Sequence, residues 1–137
     1  MLVGRKADID RARLYRKRLG GGMRQVGILA AAGLIALEEM PARLPEDHVN
    51  AQYLARELAG ISGIKLDPAM VQTNIILFDV SETGITGPEF SRRLKAHGVL
   101  INSINDREMR VLTHCDVRRA DCERALEAIK SVAAMQC

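Results

Sequence analysis

Arg16-Lys17-Arg18-Leu19-Gly20-Gly21-Gly22-Met23-Arg24-Gln25 sets a basic helix end, three consecutive glycines and a new apolar run back to back. Glycine leaves the backbone permissive, so Gly20-Gly21-Gly22 breaks regular structure on both sides. Upstream, the pattern predicts a helix from about Asp8 to Leu19, acidic near its start and basic in its last turns, which suits the helix dipole. Downstream, Met23 to Met40 predicts a second helix, apolar nearly all round through Val26, Ile28, Leu29, Leu34, Ile35 and Leu37. A helix without a polar face needs burial on all sides. In so short a chain that implies burial against something outside it. Met1 to Val3, an apolar run ended by Gly4, predicts the last residues of a buried strand.

Further along, Pro41 ends the second helix, and Pro45 starts a third that runs to about Ala59 with Gly60 as its stop. Beyond Gly60 the pattern changes. Ile64 to Leu66 and Asn74 to Val80 predict strands, and the continuous apolar run Ile75-Ile76-Leu77-Phe78 places the second centrally in a sheet. Thr86 with Glu89 predicts a capping box before a helix to about His97, stopped by Gly98. Val99 to Ile104 and Met109 to Thr113 predict two more strands, joined by a turn at Asn105-Asp106. The last helix, about Ala120 to Met135, carries Cys122, Ala125, Leu126, Ile129, Val132 and Ala133 on one face. A helical first part, 1–59, is thus followed by an α+β part, 60–137, with antiparallel strands covered on one side by helices. The first part has no sheet of its own and reads as a piece of a larger domain.

Composition narrows the function. The chain has 137 residues, 47% of them hydrophobic and 27% charged, ordinary values for a globular protein with one core. The net charge of +3 comes mainly from Arg5, Lys6, Arg11, Arg13, Arg16, Lys17, Arg18 and Arg24, opposed only by Asp8 and Asp10 in that segment. Such a run is either a solvated face or a site for phosphate or an acidic partner. With 3% aromatic residues and no Trp, base stacking has no platform, so nucleic acid is not expected. Cys115, Cys122 and Cys137 are odd in number and lack CxxC spacing, which argues against a disulfide framework and against zinc. The start of the chain has no signal-peptide pattern, and the uncharged stretch Gln25 to Leu37 is too short to span a bilayer. A cytoplasmic protein away from membranes is expected.

Several motifs, in order, carry a family resemblance. Arg16-Lys17-Arg18-Leu19-Gly20-Gly21-Gly22-Met23-Arg24-Gln25 with Gly27-Ile28-Leu29-Ala30-Ala31-Ala32-Gly33 resembles the RK-x-x-GGGMRQ-x-G-x-LAAA signature of the threonine aldolases, fold-type-I pyridoxal-phosphate enzymes. Leu44-x-Glu46-Asp47-His48-x-Asn50-Ala51, Thr73-Asn74 after Gln72, and Arg110-Val111-Leu112-Thr113-His114-Cys115-Asp116-Val117 are similar to further motifs of that family. The resemblance implies the α/β fold of the PLP-dependent transferase-like class, fold type I. Residues 1–40 would be the end of the cofactor-binding large domain with a linker helix, and 41–137 the C-terminal small α+β domain.

The resemblance also implies roles. Arg110 matches the family's substrate-carboxylate arginine, and a planar guanidinium holds a carboxylate in two-pronged geometry that a lysine does not offer. Without the motif, a surface ion pair with Asp116 is the competing reading. Lys17 and Arg24 match positions that reach the phosphate of pyridoxal 5'-phosphate in a neighbouring subunit, the alternative being a basic helix end. The lysine that forms the Schiff base stands in the family in a Ser-x-x-Lys-Gly-type context, upstream of the segment matching Met1 to Gly4. Neither Lys6 nor Lys17 has that context, so no catalytic residue is assigned. His114, beside Asp116, and His48, at a helix start, read as structural. No histidine and carboxylate pair has ligand spacing on one helix, so no metal is expected. Cys115 and Cys122 read as small core residues.

The implied activity is cleavage of L-threonine or L-allo-threonine, β-hydroxy-α-amino acids, to glycine and an aldehyde. The chain would be the C-terminal portion of such a lyase, inactive alone, and part of a homodimer or homotetramer when full length. The alternatives are a non-catalytic α+β module that binds a small carboxylate or dimerises, and a basic phosphate- or nucleic-acid-binding protein using residues 5–24, which the low aromatic content weakens. The apolar helix after the glycines speaks against a self-sufficient module.

Overall fold

The computed structural model describes residues 2–135. Its chain divides into two compact units, 1–41 and 42–137.

In the first unit, α1 spans Lys6–Arg18 and α2 spans Gly27–Glu38. Asp8 in the first turn of α1 and Arg16, Lys17 and Arg18 in its last turn follow the dipole rule, and Arg5–Asp8 and Lys6–Asp10 pair along its surface. The expected strand at the start is not formed: Leu2 and Val3 are exposed coil, and Met1 lies outside the described residues. The second helix starts later than its apolar run, because residues 24–26 form a turn. Its burial is also not realised within this chain. No residue of α2 is buried, and Ile28 is 79% exposed.

The second unit holds the core. Helix α3, Leu44–Ala59, begins with Pro45 in its first turn, where a missing N–H costs nothing. Strand β1, Ile75–Asp79, is followed by α4, Gly87–Ala96, then β2, Asn102–Ser103, β3, Glu108–Leu112, and α5, Arg119–Ala134. The sheet is antiparallel in the order β1-β3-β2, with Leu77 opposite Arg110 and Asn102 opposite Arg110 on the other side. Ile76, Phe78 and Met109 turn to the helical side and meet Leu58, Phe90, Leu94, Ile129 and Val132, all buried. Burying each such side chain contributes roughly 1.5–3 kcal/mol, which makes this layer the main source of stability. The expectation of antiparallel strands covered on one side by helices holds.

Several details differ from expectation for identifiable reasons. Strand β1 is an edge of the sheet, not its centre, with only a Lys65–Asp79 bridge beyond it. Its burial alternates, leaving Ile75 46% and Leu77 49% exposed. The apolar run reflects a sheet apolar on both faces rather than a strand flanked on both edges. The segment 64–66 therefore contributes that one bridge and no strand. The strand expected over 99–104 shrinks to two residues. Gly98, at φ 74°, lets Val99 N–H donate back to the Leu94 carbonyl, and Ser91 Oγ donates to the Ile101 carbonyl at 2.6 Å, so those carbonyl and amide groups leave the ladder. The capping box at Thr86 is absent, because Glu89 is held by Arg92 and Arg93 instead. Helix α5 is closed by a carboxylate the sequence reading missed: Arg118 N–H donates to Asp121 Oδ2 at 3.0 Å. Asn105 makes the expected turn, its Oδ1 accepting from the N–H groups of Arg107 and Glu108.

Candidate functional site

Strand alternation puts Glu108, Arg110 and Leu112 on the face of β3 away from the helices. There Arg110 lies between Leu77 of β1 and Asn102 of β2, with Ile75 paired to Leu112 one step along. This face is open, and Ile75, Leu77, Ile104 and Leu112 leave between 41% and 50% of their surface exposed. Among the described residues the Arg110 side chain has no ion pair and no hydrogen bond. The competing reading, a pair with Asp116, is not realised: Asp116 Oδ2 lies 3.6 Å from His114 Nδ1. A guanidinium on a half-apolar surface, with its fork of donors unspent, is suited to accept a carboxylate from outside. Asn102 joins it on the same face; its place opposite Arg110 follows from the register, which the sequence did not reveal.

Lys17 and Arg24 belong to the other unit. Gly20, at φ 81°, lets the chain turn at the end of α1. A Cβ at Gly22 would stand 3.0 Å from Lys17 Cδ and 3.4 Å from its Nζ, so the ammonium is folded against backbone that only glycine leaves free. Gly21 is equally tight, a Cβ there meeting the Arg16 carbonyl oxygen at 3.2 Å. Among the described residues neither Lys17 nor Arg24 pairs with a carboxylate. The unneutralised Lys17 ammonium beside bare glycine backbone, with Arg24 two residues on in sequence, fits an acceptor-only group such as the phosphate of pyridoxal phosphate.

The histidines do not gather into a catalytic group. His114 is exposed, and its Nδ1 accepts from the Asp116 N–H at 3.3 Å. His114, Cys115 and Asp116 have ligand-type atoms within 4.8 Å of one another, yet all are exposed neighbours on one turn. Cys115 is thus not a core residue as expected, whereas Cys122 is, and burial pushes its thiol up. In the motif around His48, Asp47 and Asn50 tie elements together. Asp47 is buried with its carbonyl accepting from Thr113 Oγ1 at 2.7 Å, and Asn50 Nδ2 donates to the Val117 carbonyl. Asn74 Nδ2 donates to the Thr113 carbonyl at 2.8 Å, so the Thr73-Asn74 motif also locks strand ends together. A cavity of about 490 Å³ opens between the segment 97–101 after α4, β3 and α5 and does not include Arg110. No helix among the described residues is long and apolar enough to cross a membrane.

Comparison with known proteins shows the family. The family described as beta-eliminating lyase matches residues 1–81. Low-specificity L-threonine aldolase 1 of Arabidopsis thaliana is 34% identical over 131 residues, which cover 95% of this chain and 37% of that protein. The low specificity L-threonine aldolase of Escherichia coli (strain K12) is 43% identical over 121 residues, covering 87% of this chain and 34% of that protein. The chain thus spans little more than a third of the length of these relatives. Among solved structures, that of OvoB superposes with a TM-score of 0.67 at 24% identity, over 91% of this chain and 34% of its own. That of MppP soaked with the product 2-ketoarginine gives 0.57 at 16% identity, over 72% of this chain and 30% of its own. The chain belongs to the beta-eliminating lyase family, as a threonine aldolase-like member with the α/β fold of a fold-type-I pyridoxal-phosphate-dependent enzyme.

Proposed function

We propose that this chain supplies the substrate-carboxylate and cofactor-phosphate contacts of a pyridoxal-phosphate-dependent lyase that cleaves L-threonine or L-allo-threonine to glycine and an aldehyde. The observation that carries the reading is Arg110, unpaired on the open sheet face of a chain from this family. The names of the relatives give the substrate class.

Arg110 binds the amino-acid carboxylate through two parallel N–H donors, which fixes the direction of the bond to be broken. Once substrate covers the face, the half-exposed Leu77, Ile75 and Leu112 shield the contact from water and strengthen it. Lys17 and Arg24, with the backbone of Gly20 to Gly22, hold the cofactor phosphate in a neighbouring subunit. When bound, pyridoxal phosphate supplies the electron sink for the carbanion. The exposed apolar surface of α2 is the subunit contact of a homodimer or homotetramer. No lysine of the chain stands in the cofactor-bonding context, so the 137-residue chain alone has no turnover. The protein works in the cytoplasm, where Cys115 and Cys122 remain thiols. No metal takes part.

The test is a hybrid in which this chain replaces the matching part of the Escherichia coli aldolase. Release of glycine and acetaldehyde from L-threonine by the hybrid, with none from the chain alone, supports the reading. A hybrid that folds and binds cofactor yet does not cleave threonine or allo-threonine contradicts it.

A further inference from the structure

On α3, His48, Gln52 and Arg56 recur every four residues and so form one stripe, with Val49 and Tyr53 on the stripe beside it. Arg119, the first residue of α5, lays its guanidinium over the Tyr53 ring, its Cζ 3.9 Å from the ring centroid. Together these side chains line a pocket of about 280 Å³. No acidic residue lines it. Several other arginines of this unit have a carboxylate partner: Arg43 with Glu46, Arg92 and Arg93 with Glu89, Arg124 with Asp121. Among the described residues, His48, Arg56 and Arg119 make no ion pair and no side-chain hydrogen bond. Glu57, the carboxylate next to Arg56 in sequence, lies 3.9 Å from Lys130 and is drawn away. Arg119 Nη1 is buried without an acceptor.

We propose that this pocket binds the phosphate group of a small phosphate monoester. Arginine stays charged at all ordinary pH, so two guanidinium groups converging without a carboxylate repel each other until an anion arrives. Stacking on Tyr53 occupies the face of Arg119 and leaves its N–H edge for the ligand. His48 carries an N–H donor in either protonation state. Gln52 is held by the Val71 carbonyl, to which its Nε2 donates. A rim with two guanidinium groups and no carboxylate selects a ligand rich in acceptor oxygens, and the Val49 and Tyr53 wall takes a few carbons beside it. The pocket lies wholly within residues 48–119 and shares no residue with Arg110, Lys17 or Arg24, so it does not depend on the lyase reading.

The test is an NMR titration of the 137-residue chain with inorganic phosphate and with glycerol 3-phosphate, chloride being exchanged at constant ionic strength. Saturable shifts confined to residues 48–56 and Arg119 are expected. Arg56→Gln, at an exposed position, weakens the midpoint roughly tenfold, as loss of one charge-assisted contact predicts. Arg119→Lys keeps the charge but loses the stacked fork and weakens it similarly. Arg13→Gln, in the basic run of α1, leaves the midpoint unchanged. Tighter binding of glycerol 3-phosphate assigns the ester, whereas equal or weaker binding assigns free phosphate as the ligand and overturns the ester. Shifts that grow linearly and spread equally over residues 5–24, or a midpoint unmoved by Arg56→Gln, would overturn the site.

Discussion

Thr113 Oγ1 donates a 2.7 Å hydrogen bond to the backbone carbonyl of Asp47, joining the end of β3 to the first turn of α3. Thr113 is fully buried, so water cannot replace that donor. Thr113→Val keeps the shape and removes the donor, and should destabilise the unit by about 1–3 kcal/mol. Urea unfolding gives the value; an unchanged midpoint would mean that the carbonyl finds another partner.

Glycine substitutions should separate by what a Cβ would meet. At Gly87, in the first turn of α4, a Cβ collides with the Asn105 carbonyl oxygen and stands 3.1 Å from Ser103 Cβ. Gly87→Ala should therefore cost roughly 1–3 kcal/mol through displaced packing. At Gly33, inside α2, nothing lies within 4 Å. Gly33→Ala should raise helix content slightly, by up to about 1 kcal/mol of propensity. Circular dichroism on both variants checks the contrast.

Glu89 links α4 to acid stability. Hydrogen bonds from Arg92 and then Arg93 hold its carboxyl at about 2, below the ordinary 4.5. A depressed folded-state value stabilises the fold above the unfolded value and loses that contribution as pH falls. Stability should thus decline between 4.5 and about 2 because this group protonates. Glu89→Gln should flatten that part of the profile and lower stability at neutral pH. An identical pH profile in the variant would remove Glu89 as the cause.

The sequence made the helices and the antiparallel small domain legible, because glycine and proline stops at Gly20, Pro45, Gly60 and Gly98 are local signals. It also singled out Arg110, Lys17 and Arg24 through motif context. Neighbour order was not legible. Ile75 to Phe78 reads the same whether the strand is central or carries an apolar open face, and only the register with Leu112 to Met109 separates the two. The Thr86–Glu89 spacing reads as a cap because sequence shows spacing but not competition, and two arginines one turn on outcompete the backbone for Glu89. Asn102 and the pocket beside Tyr53 depend on residues distant in sequence meeting across the fold, which no periodicity encodes.

Arg110 carries the central claim, and substitution in the hybrid enzyme tests it most directly. Arg110→Ala and Arg110→Lys should each lower kcat/KM for L-threonine by about a hundredfold or more, the lysine variant failing because a point charge lacks the two-pronged grip. Cofactor absorbance should stay unchanged in both. Wild-type kcat/KM in Arg110→Ala, with the cofactor bound, would contradict the account.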